Sequence, residues 1–570
     1  MDYKERYNEW LTNPYFDEAT RAELTALQGN DNEIKERFYQ DLEFGTGGLR
    51  GILGAGVNRM NIYTVRRATQ GLANTIKKHG GEKMGVAIAY DSRRMSPEFA
   101  LDTALCLAAN GIHAYLFESL RPTPELSFSV RTLGCMAGVV VTASHNPPEY
   151  NGYKVYWEDG AQITAPKDAE IIKEVNSITD FSTAKTMKKE DAIAQGLLTI
   201  IGSEIDDEYM AELKKLVVNP ISEEGKKLKI VYTPLHGTGN LPVRRILKEI
   251  GFDQVYVVPE QELPDSEFST VGYPNPEDPK VFTIAQKLAK EVGADLILAT
   301  DPDADRLGIM VKDEKGDYVL FNGNMTGALI AEYEFSQKAE KGILPKNAAL
   351  IKTIVTGNIS DLIAENYNAR LIEVLTGFKY IGEQIKLFEQ TGSNEYVFGY
   401  EESYGCLVGT HARDKDAVVA VMALCEAAAY YKSKGITLHE QMSNIYKKYG
   451  YFKEDLVSVT LKGIEGMEKI KEIMANYRKN PPKKVGDYMV MKLRDYQADT
   501  ITDMENGTVT PTGLPKSDVL YFDLNDNAWC AVRPSGTEPK IKFYFGVKGE
   551  TMADAEARLN KLMNDEVFKV

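Results

Sequence analysis

The sequence predicts an α/β protein: three similar mixed α/β domains, then a C-terminal α+β domain, set around a central cleft. Three observations carry that prediction. A pattern of apolar strand, polar turn, helix and second strand recurs three times along the chain, each copy spanning roughly the 30 residues of a βαβ unit. Each copy is followed by another apolar strand that runs into a short polar loop. After residue 455 the grammar changes to short strands and turns with one helix. At 570 residues the chain far exceeds what one hydrophobic core usually serves.

Taken in order, a helical N-terminal segment precedes the first copy: strand 86–90, helix 97–110, strand 114–117. The second copy reads as strand 230–232, helix 241–250 and strand 255–258. The third reads as strand 350–355, helix 359–367 and strand 371–374. From residue 456, strands at 456–461, 488–493 and 519–524, a helix at 467–477 and a break at Pro481-Pro482 mark the α+β domain. The expected boundaries are 1–203, 204–321, 322–450 and 451–570. The apolar run from Ala417 to Cys425 ends at Glu426, well short of the roughly 18–20 residues a bilayer requires. It reads as a buried helix.

Composition excludes whole classes of function. Lys and Arg number 67 against 83 Asp and Glu, a net charge of -16 that opposes binding to phosphate backbones or anionic membranes. Neither nucleic acid nor membrane is an expected partner. The start, MDYKERYNEWL, lacks the apolar core of a signal peptide, and five scattered cysteines contain no CxxC pair. Both features point to a cytoplasmic protein.

The unusual residues sit in the loops. Asp301, Asp303 and Asp305 alternate along one of them, and in extended backbone such residues point to one side. Three converging carboxylates call for a cation, and an all-oxygen ligand set selects a hard ion such as magnesium. The spacing also begins an EF-hand loop, but Arg306 and Lys312 stand where that motif needs Gly and Glu. Ser144 lies in Thr142-Ala-Ser-His-Asn-Pro-Pro148, without the G-x-S-x-G elbow of hydrolases. Neighbouring side chains on extended backbone face opposite ways, so His145 is not an obvious base for Ser144. A serine near a metal can instead carry a phosphoryl group.

Arg533-Pro-Ser535-Gly536-Thr537 brings together a guanidinium, two hydroxyls and a glycine, the equipment of a phosphate clasp. The loop around Arg50 is rich in glycine but lacks the Gly-Lys-Ser/Thr ending of a P-loop, so nucleotide binding is not expected. Glu401, Glu402 and Ser403 could hold vicinal sugar hydroxyls. His145, His236 (in Pro234-Leu-His-Gly-Thr-Gly239) and His411 fall in or beside these loops.

In order, Thr-Ala-Ser144-His-Asn-Pro, Asp301-Pro-Asp303-Ala-Asp305-Arg306, Gly-Tyr-Glu401-Glu402-Ser403 and Arg533-Pro-Ser535-Gly-Thr537 resemble the four signature loops of the α-D-phosphohexomutase superfamily, most of all its long bacterial phosphoglucomutase branch. The resemblance spans almost the whole chain. It implies a last domain with a TATA-binding-protein-like sheet, and a monomer or weak homodimer. It implies Ser144 as the phosphorylated residue, also a magnesium ligand, with Asp301, Asp303 and Asp305 completing one Mg2+ site per active site. Arg50, His145, Lys154, Arg306 and Lys379 become the remaining catalytic candidates. Glu401 and Ser403 match sugar-binding positions, and Arg533, Ser535, Gly536 and Thr537 a distal phosphate site.

The activity so implied interconverts α-D-glucose 1-phosphate and glucose 6-phosphate, with glucose 1,6-bisphosphate as intermediate and activator. Mannose phosphates, pentose phosphates and synthesis of the bisphosphate itself are the alternatives on the same scaffold. An aspartyl-phosphate phosphotransferase would use the aspartate loop but leave the serine and Arg533 loops without a task. A non-catalytic sugar-phosphate sensor is the third reading.

Overall fold

The structure, a computed structural model, describes residues 2–45, 47–461, 463–535 and 540–568. It divides into two compact units. The first comprises Met1–Phe321, Ile381–Gly392 and Ser403–Gly435, and the second Asn322–Tyr380, Ser393–Glu402 and Ile436–Val570. Part of the stretch expected as the third domain therefore packs with the first unit.

Two sheets of the first unit share one plan. In the six-stranded sheet, Ala137–Val141, Val86–Tyr90, Ala114–Phe117 and Leu198–Ile201 run parallel in that spatial order. Tyr150–Trp157 then turns back antiparallel along Ala137–Val141, and Gly48–Ile52 closes the edge. In the five-stranded sheet, Leu296–Thr300, Ile230–Thr233 and Val255–Val257 are parallel, while Leu307–Lys312 returns antiparallel to Leu296–Thr300 and Tyr318–Phe321 follows. Each returning strand is reached through one of the polar loops singled out above, so each loop lies at the carboxyl end of a parallel strand, where open α/β sheets collect ligands.

The central parallel strands are apolar on both faces, as helices on either side require. Ala137–Val141 and Leu296–Thr300 are buried throughout. The expected strand 86–90 falls where the sequence puts it, and the helix expected at 97–110 is Ser96–Ala109. Ala417 does open a buried helix, which extends to Ser433.

In the second unit, Arg370–Val374, Ala348–Thr353 and Glu395–Tyr400 form parallel neighbours. The strand expected at 350–355 thus begins earlier and ends at Thr353, and the reason lies in packing. Ile354 and Val355 leave the sheet to join Leu375, Tyr521, Trp529 and Tyr544 in a separate apolar cluster. Their hydrophobicity serves the C-terminal sheet.

That sheet is built from antiparallel strands including Tyr451–Thr460, Lys540–Gly549, Trp529–Pro534, Leu520–Leu524 and Tyr488–Asp495. Period-two alternation gives it two apolar faces. Phe522, Cys530, Val532, Phe543 and Phe545 face a core that includes Ile470, Met474, Leu559 and Leu562 of the helices Gly463–Lys479 and Met552–Met563. Tyr521, Trp529, Ala531 and Tyr544 face the Ile354 cluster. The first strand starts at Tyr451, before the expected 456, because Lys453, Glu454 and Asp455 hide its alternation.

Candidate active site

The serine loop and the aspartate loop meet in the first unit. Ser144 takes a left-handed conformation, φ 53°, and its amide donates to Thr142 Oγ1 at 2.8 Å. Thr142 in turn donates to Asp91 Oδ2 at 2.6 Å. Arg93, fully buried against Asp91, donates to the carbonyls of Pro147 at 2.9 Å and Tyr150 at 3.1 Å and also to that of Ser144. A buried ion pair is thereby used to hold the loop's backbone.

Ser144 Oγ donates to Asp301 Oδ2 at 2.8 Å and lies 3.2 Å from His145 Nδ1. The second contact corrects the expectation that the two neighbouring side chains diverge. That expectation assumed extended backbone, and the left-handed turn at Ser144 brings them to the same side. Burial, reinforced by Arg306 and Arg50, holds the His145 pKa well below its ordinary value, so the imidazole is neutral.

The three aspartates also converge, their ligand oxygens all within 4.8 Å of one another. The cause is a turn, not the extended backbone expected. Ala304 sits at φ 52°, its amide donates to Asp301 O at 2.9 Å, and the amides of Asp305 and Arg306 both donate to Asp301 Oδ1 at 3.0 Å. Asp303 Oδ2 accepts from Thr123 Oγ1 at 2.9 Å and from Lys154 Nζ at 2.7 Å. Asp305 Oδ2 takes Lys154 Nζ at 3.3 Å and Lys415 Nζ at 3.1 Å.

The electrostatics follow from this unequal sharing of cations. Burial opposes ionisation of all three carboxyls. At Asp303 it is outweighed by Lys154, and at Asp305 by Lys415, Lys154 and Arg306, so both titrate below the ordinary carboxylate range. At Asp301 burial and the charges of Asp303 and Asp305 prevail, and its pKa is well raised. Oδ1 of Asp303 and Oδ1 of Asp305 are buried without a hydrogen-bond partner. Two orphaned carboxylate oxygens beside a third, charge-strained carboxyl are a donor set that fits a hard divalent cation.

The other sequence-derived candidates divide between the units. In the first, Arg306 pairs with Glu277 at 2.7 Å. Arg50 is exposed on the strand Gly48–Ile52, and its charge is felt at His145. Ser403 is half-buried, and Tyr404 O beside it accepts from the amide of Leu307, which leaves the aspartate loop, at 2.9 Å. In the second, Glu401 Oε1 accepts from Gly377 N at 3.0 Å, which ties the sugar-binding candidate to the turn just before the helical residue Lys379. Glu402 accepts from Thr353 at 3.1 Å and Thr356 at 3.3 Å. Arg533 lies on Trp529–Pro534 opposite Lys542, and the Ser535 amide donates to Lys540 O at 2.8 Å. Gly536 and Thr537 lie outside the described residues.

Sequence reasoning missed Thr123, Asp91, Arg93 and, above all, Lys415. Asp414 Oδ1 lies 3.0 Å from Lys415 Nζ, and Tyr156 donates to Asp414 Oδ2 at 2.6 Å. The signal was Arg413-Asp-Lys-Asp416, four charged residues placed directly before the apolar run from Ala417 to Cys425; the side chains of Arg413, Asp414 and Asp416 are buried.

A serine hydroxyl, three buried carboxylates suited to a divalent cation, and lysines at the same point define the equipment of a phosphoryl-transfer enzyme. Models of the phosphoglucomutase/phosphomannomutase family match the chain in three parts: α/β/α domain I over residues 41–181, domain II over 207–316 and domain III over 322–449. The phosphoglucomutase of Staphylococcus epidermidis is 37% identical over 564 residues, 98% of this chain and 99% of that protein. That of Staphylococcus aureus is 36% identical over 538 residues, 94% and 95% of the two chains. Among solved structures, the phosphoglucomutase parafusin of Paramecium aligns with a TM-score of 0.65 at 19% identity, over 92% of this chain and 94% of that one. A phosphoglucomutase/phosphomannomutase family protein of Burkholderia thailandensis aligns with 0.65 at 18%, over 92% and 95%. The chain belongs to the phosphoglucomutase/phosphomannomutase family.

Proposed function

We propose that the protein is a phosphoglucomutase that interconverts α-D-glucose 1-phosphate and glucose 6-phosphate, with Ser144 as its phosphoryl carrier. The observation that carries the reading is the 2.8 Å contact of Ser144 Oγ with Asp301 Oδ2, which joins the serine loop to the aspartate loop. The identity of the Staphylococcus phosphoglucomutases over almost their whole length supports the choice of substrate.

Asp301, Asp303, Asp305 and the phosphorylated Ser144 would hold one magnesium ion. Bound there, it would supply positive charge to the transferring phosphoryl group. Lys154, Lys415 and Arg306 already crowd the same carboxylates and add further cationic stabilisation. In the first half-reaction the free hydroxyl of the sugar phosphate attacks phosphorus, the bond from phosphorus to Ser144 Oγ breaks, the sugar proton passes to a base, and Ser144 Oγ takes up a proton to become a hydroxyl. The bisphosphate then turns end for end and returns its other phosphoryl group to Ser144. Glu401, Ser403 and Lys379 are assigned to the sugar, and Arg533, Ser535, Gly536 and Thr537 to the phosphate that is not reacting.

An aspartyl-phosphate mechanism is less well served. Asp301 Oδ1 is committed to two backbone amides and Oδ2 to the serine hydroxyl, so neither oxygen is poised to attack.

The deciding experiment strips phosphate from the protein and assays glucose 1-phosphate conversion with and without glucose 1,6-bisphosphate. The bisphosphate restores activity and ATP does not. Activity indifferent to the bisphosphate rejects the mutase cycle.

A further inference from the structure

Arg306 lies between two carboxylates and is bonded to them unequally. Its Nη1 donates to Glu277 Oε1 at 2.7 Å, whereas its Nε stops 3.8 Å from Asp305 Oδ1, beyond hydrogen-bond reach. Asp305 Oδ1 has no hydrogen-bond partner among the described residues, and it is one of the two oxygens left for the proposed metal. Opposite charges this near gain by closing, because a hydrogen bond between ions is roughly twice as strong as a neutral one. The guanidinium is therefore held back from the other side.

The segment that carries Glu277 is built to hold it. Asn275 O accepts from Asp278 N at 2.9 Å, which makes 275–278 a β-turn with Pro276 and Glu277 at its centre. The buried Asn275 side chain stiffens that turn, its Oδ1 accepting from the Glu277 amide at 3.1 Å. The turn is seated on the strand Leu307–Lys312, which leaves the aspartate loop, so closely that a Cβ on Gly308 would meet Pro276 O at 2.6 Å. Arg306 stands two residues before Gly308 and Glu277 one after Pro276, so this backbone contact sets the distance between them.

The residues just before the turn rest on the serine loop's supports. The Phe268 ring lies 5.0 Å from the Arg93 guanidinium, and the Tyr273 ring stands edge-on to His145 at 5.9 Å. Glu277 is thus fixed relative to both loops of the site. The Arg306 side chain is 18% exposed and that of Glu277 31%, so water screens their pairing only in part.

We infer that Glu277 is a positioning residue: it anchors the Arg306 guanidinium and so keeps Asp305 Oδ1 open to a metal ion. The inference rests on the metal site proposed above and gives Glu277 no contact with ion or substrate. Without the anchor, the guanidinium closes on Asp305 Oδ1, and an incoming cation has to displace it.

The test uses the full chain, stripped of phosphate so that Ser144 is in one state, with magnesium as the probe and calorimetry as the readout. Magnesium uptake by the parent protein tests the metal site by itself, and the variants test the anchor. Glu277→Ala should weaken magnesium about tenfold or more, the scale of displacing one hydrogen bond between charged groups. Glu277→Gln removes the same charge but keeps an oxygen that accepts from Nη1, so its loss should be smaller, about threefold. In an Arg306→Met background the loss caused by Glu277→Ala should shrink to about threefold or less, since the effect passes through the guanidinium. A crystal structure of metal-free Glu277→Ala should show Arg306 within hydrogen-bond distance of Asp305 Oδ1, and it decides the anchor even where no ion binds. Equal losses in Glu277→Ala and Glu277→Gln, an undiminished loss in the Arg306→Met background, or a guanidinium that stays in place would each overturn the assignment.

Discussion

Ser144 and Asp301 are 157 positions apart in the chain, yet the serine hydroxyl donates directly to the carboxylate at 2.8 Å. Each residue sits in a loop at the carboxyl end of a parallel strand, one per sheet. The contact sets the serine oxygen beside the carboxylates proposed to hold the metal, where a phosphoryl group carried on Ser144 would meet the cation.

Ser144→Ala removes the proposed carrier and little else, because the loop is fixed through Thr142 and Arg93. Turnover should fall roughly a thousandfold or more, the scale of losing a covalent nucleophile. Intact-protein mass spectrometry should show one phosphoryl group on the parent protein and none on the variant. A variant that keeps full activity sinks the assignment.

For the proposed metal site, Asp303→Asn is the informative change. It keeps the side chain's shape while deleting a charge that Lys154 and Thr123 now share. Magnesium affinity measured by calorimetry should drop, and turnover should fall roughly a hundredfold if charge stabilisation dominates. Undiminished activity in excess chelator counts against any metal role.

Glu454 offers a pH test remote from the chemistry. Its carboxyl sits over Gly357, where a Cβ would meet Oε1 at 2.4 Å, and burial raises its pKa to about 7 against the pull of Asn324 and Lys352. A carboxyl raised on folding lends stability below its unfolded value, about 4.3, and that stability is lost as pH climbs through 7. Glu454→Gln should therefore come close to the parent protein's stability at pH 5 and exceed it at pH 8 by about 1–2 kcal/mol once solvent screening is allowed for, read as a higher melting temperature. Parallel pH profiles for the two proteins would falsify the placement of this charge.

What the sequence made legible was whatever repeats locally. The strands 86–90 and 114–117 and the loops that follow each unit could be read because apolar runs and turn residues report on near neighbours. The pairing of Ser144 with His145 could not, since it hangs on one left-handed φ that no residue type there demands. Lys415 escaped because charge runs are usually solvated faces, and only tertiary packing shows that this one is buried. Ile354 and Val355 misled in the opposite sense: their hydrophobicity extended a strand on paper, whereas the partner they serve is some 170 residues away in sequence, at Tyr521 and Trp529.

Asp301 itself should show function opposing stability. Burial, then Asp303 and Asp305, hold its pKa well above the ordinary carboxylate value. By linkage, a raised carboxyl contributes stability below about 3.9 and loses it as pH rises through the folded value, so in metal-free protein at pH 7 this carboxyl is a liability. Asp301→Asn removes the charge yet preserves the contacts: the amide oxygen still accepts from the amides of Asp305 and Arg306, and its NH2 can donate to Ser144 Oγ in place of the present bond. Metal-free Asp301→Asn should thus be more stable than the parent protein at pH 7 by about 1 kcal/mol, with the gap narrowing towards pH 4. Saturating magnesium should reverse the order, since a ligand stabilises the state that binds it and the variant has lost a donor. Turnover should nevertheless collapse in the variant. The check is a set of melting curves at pH 5, 6 and 7 with and without magnesium, and a metal-free variant less stable than the parent at pH 7 would show that the aspartate loop stores no such strain.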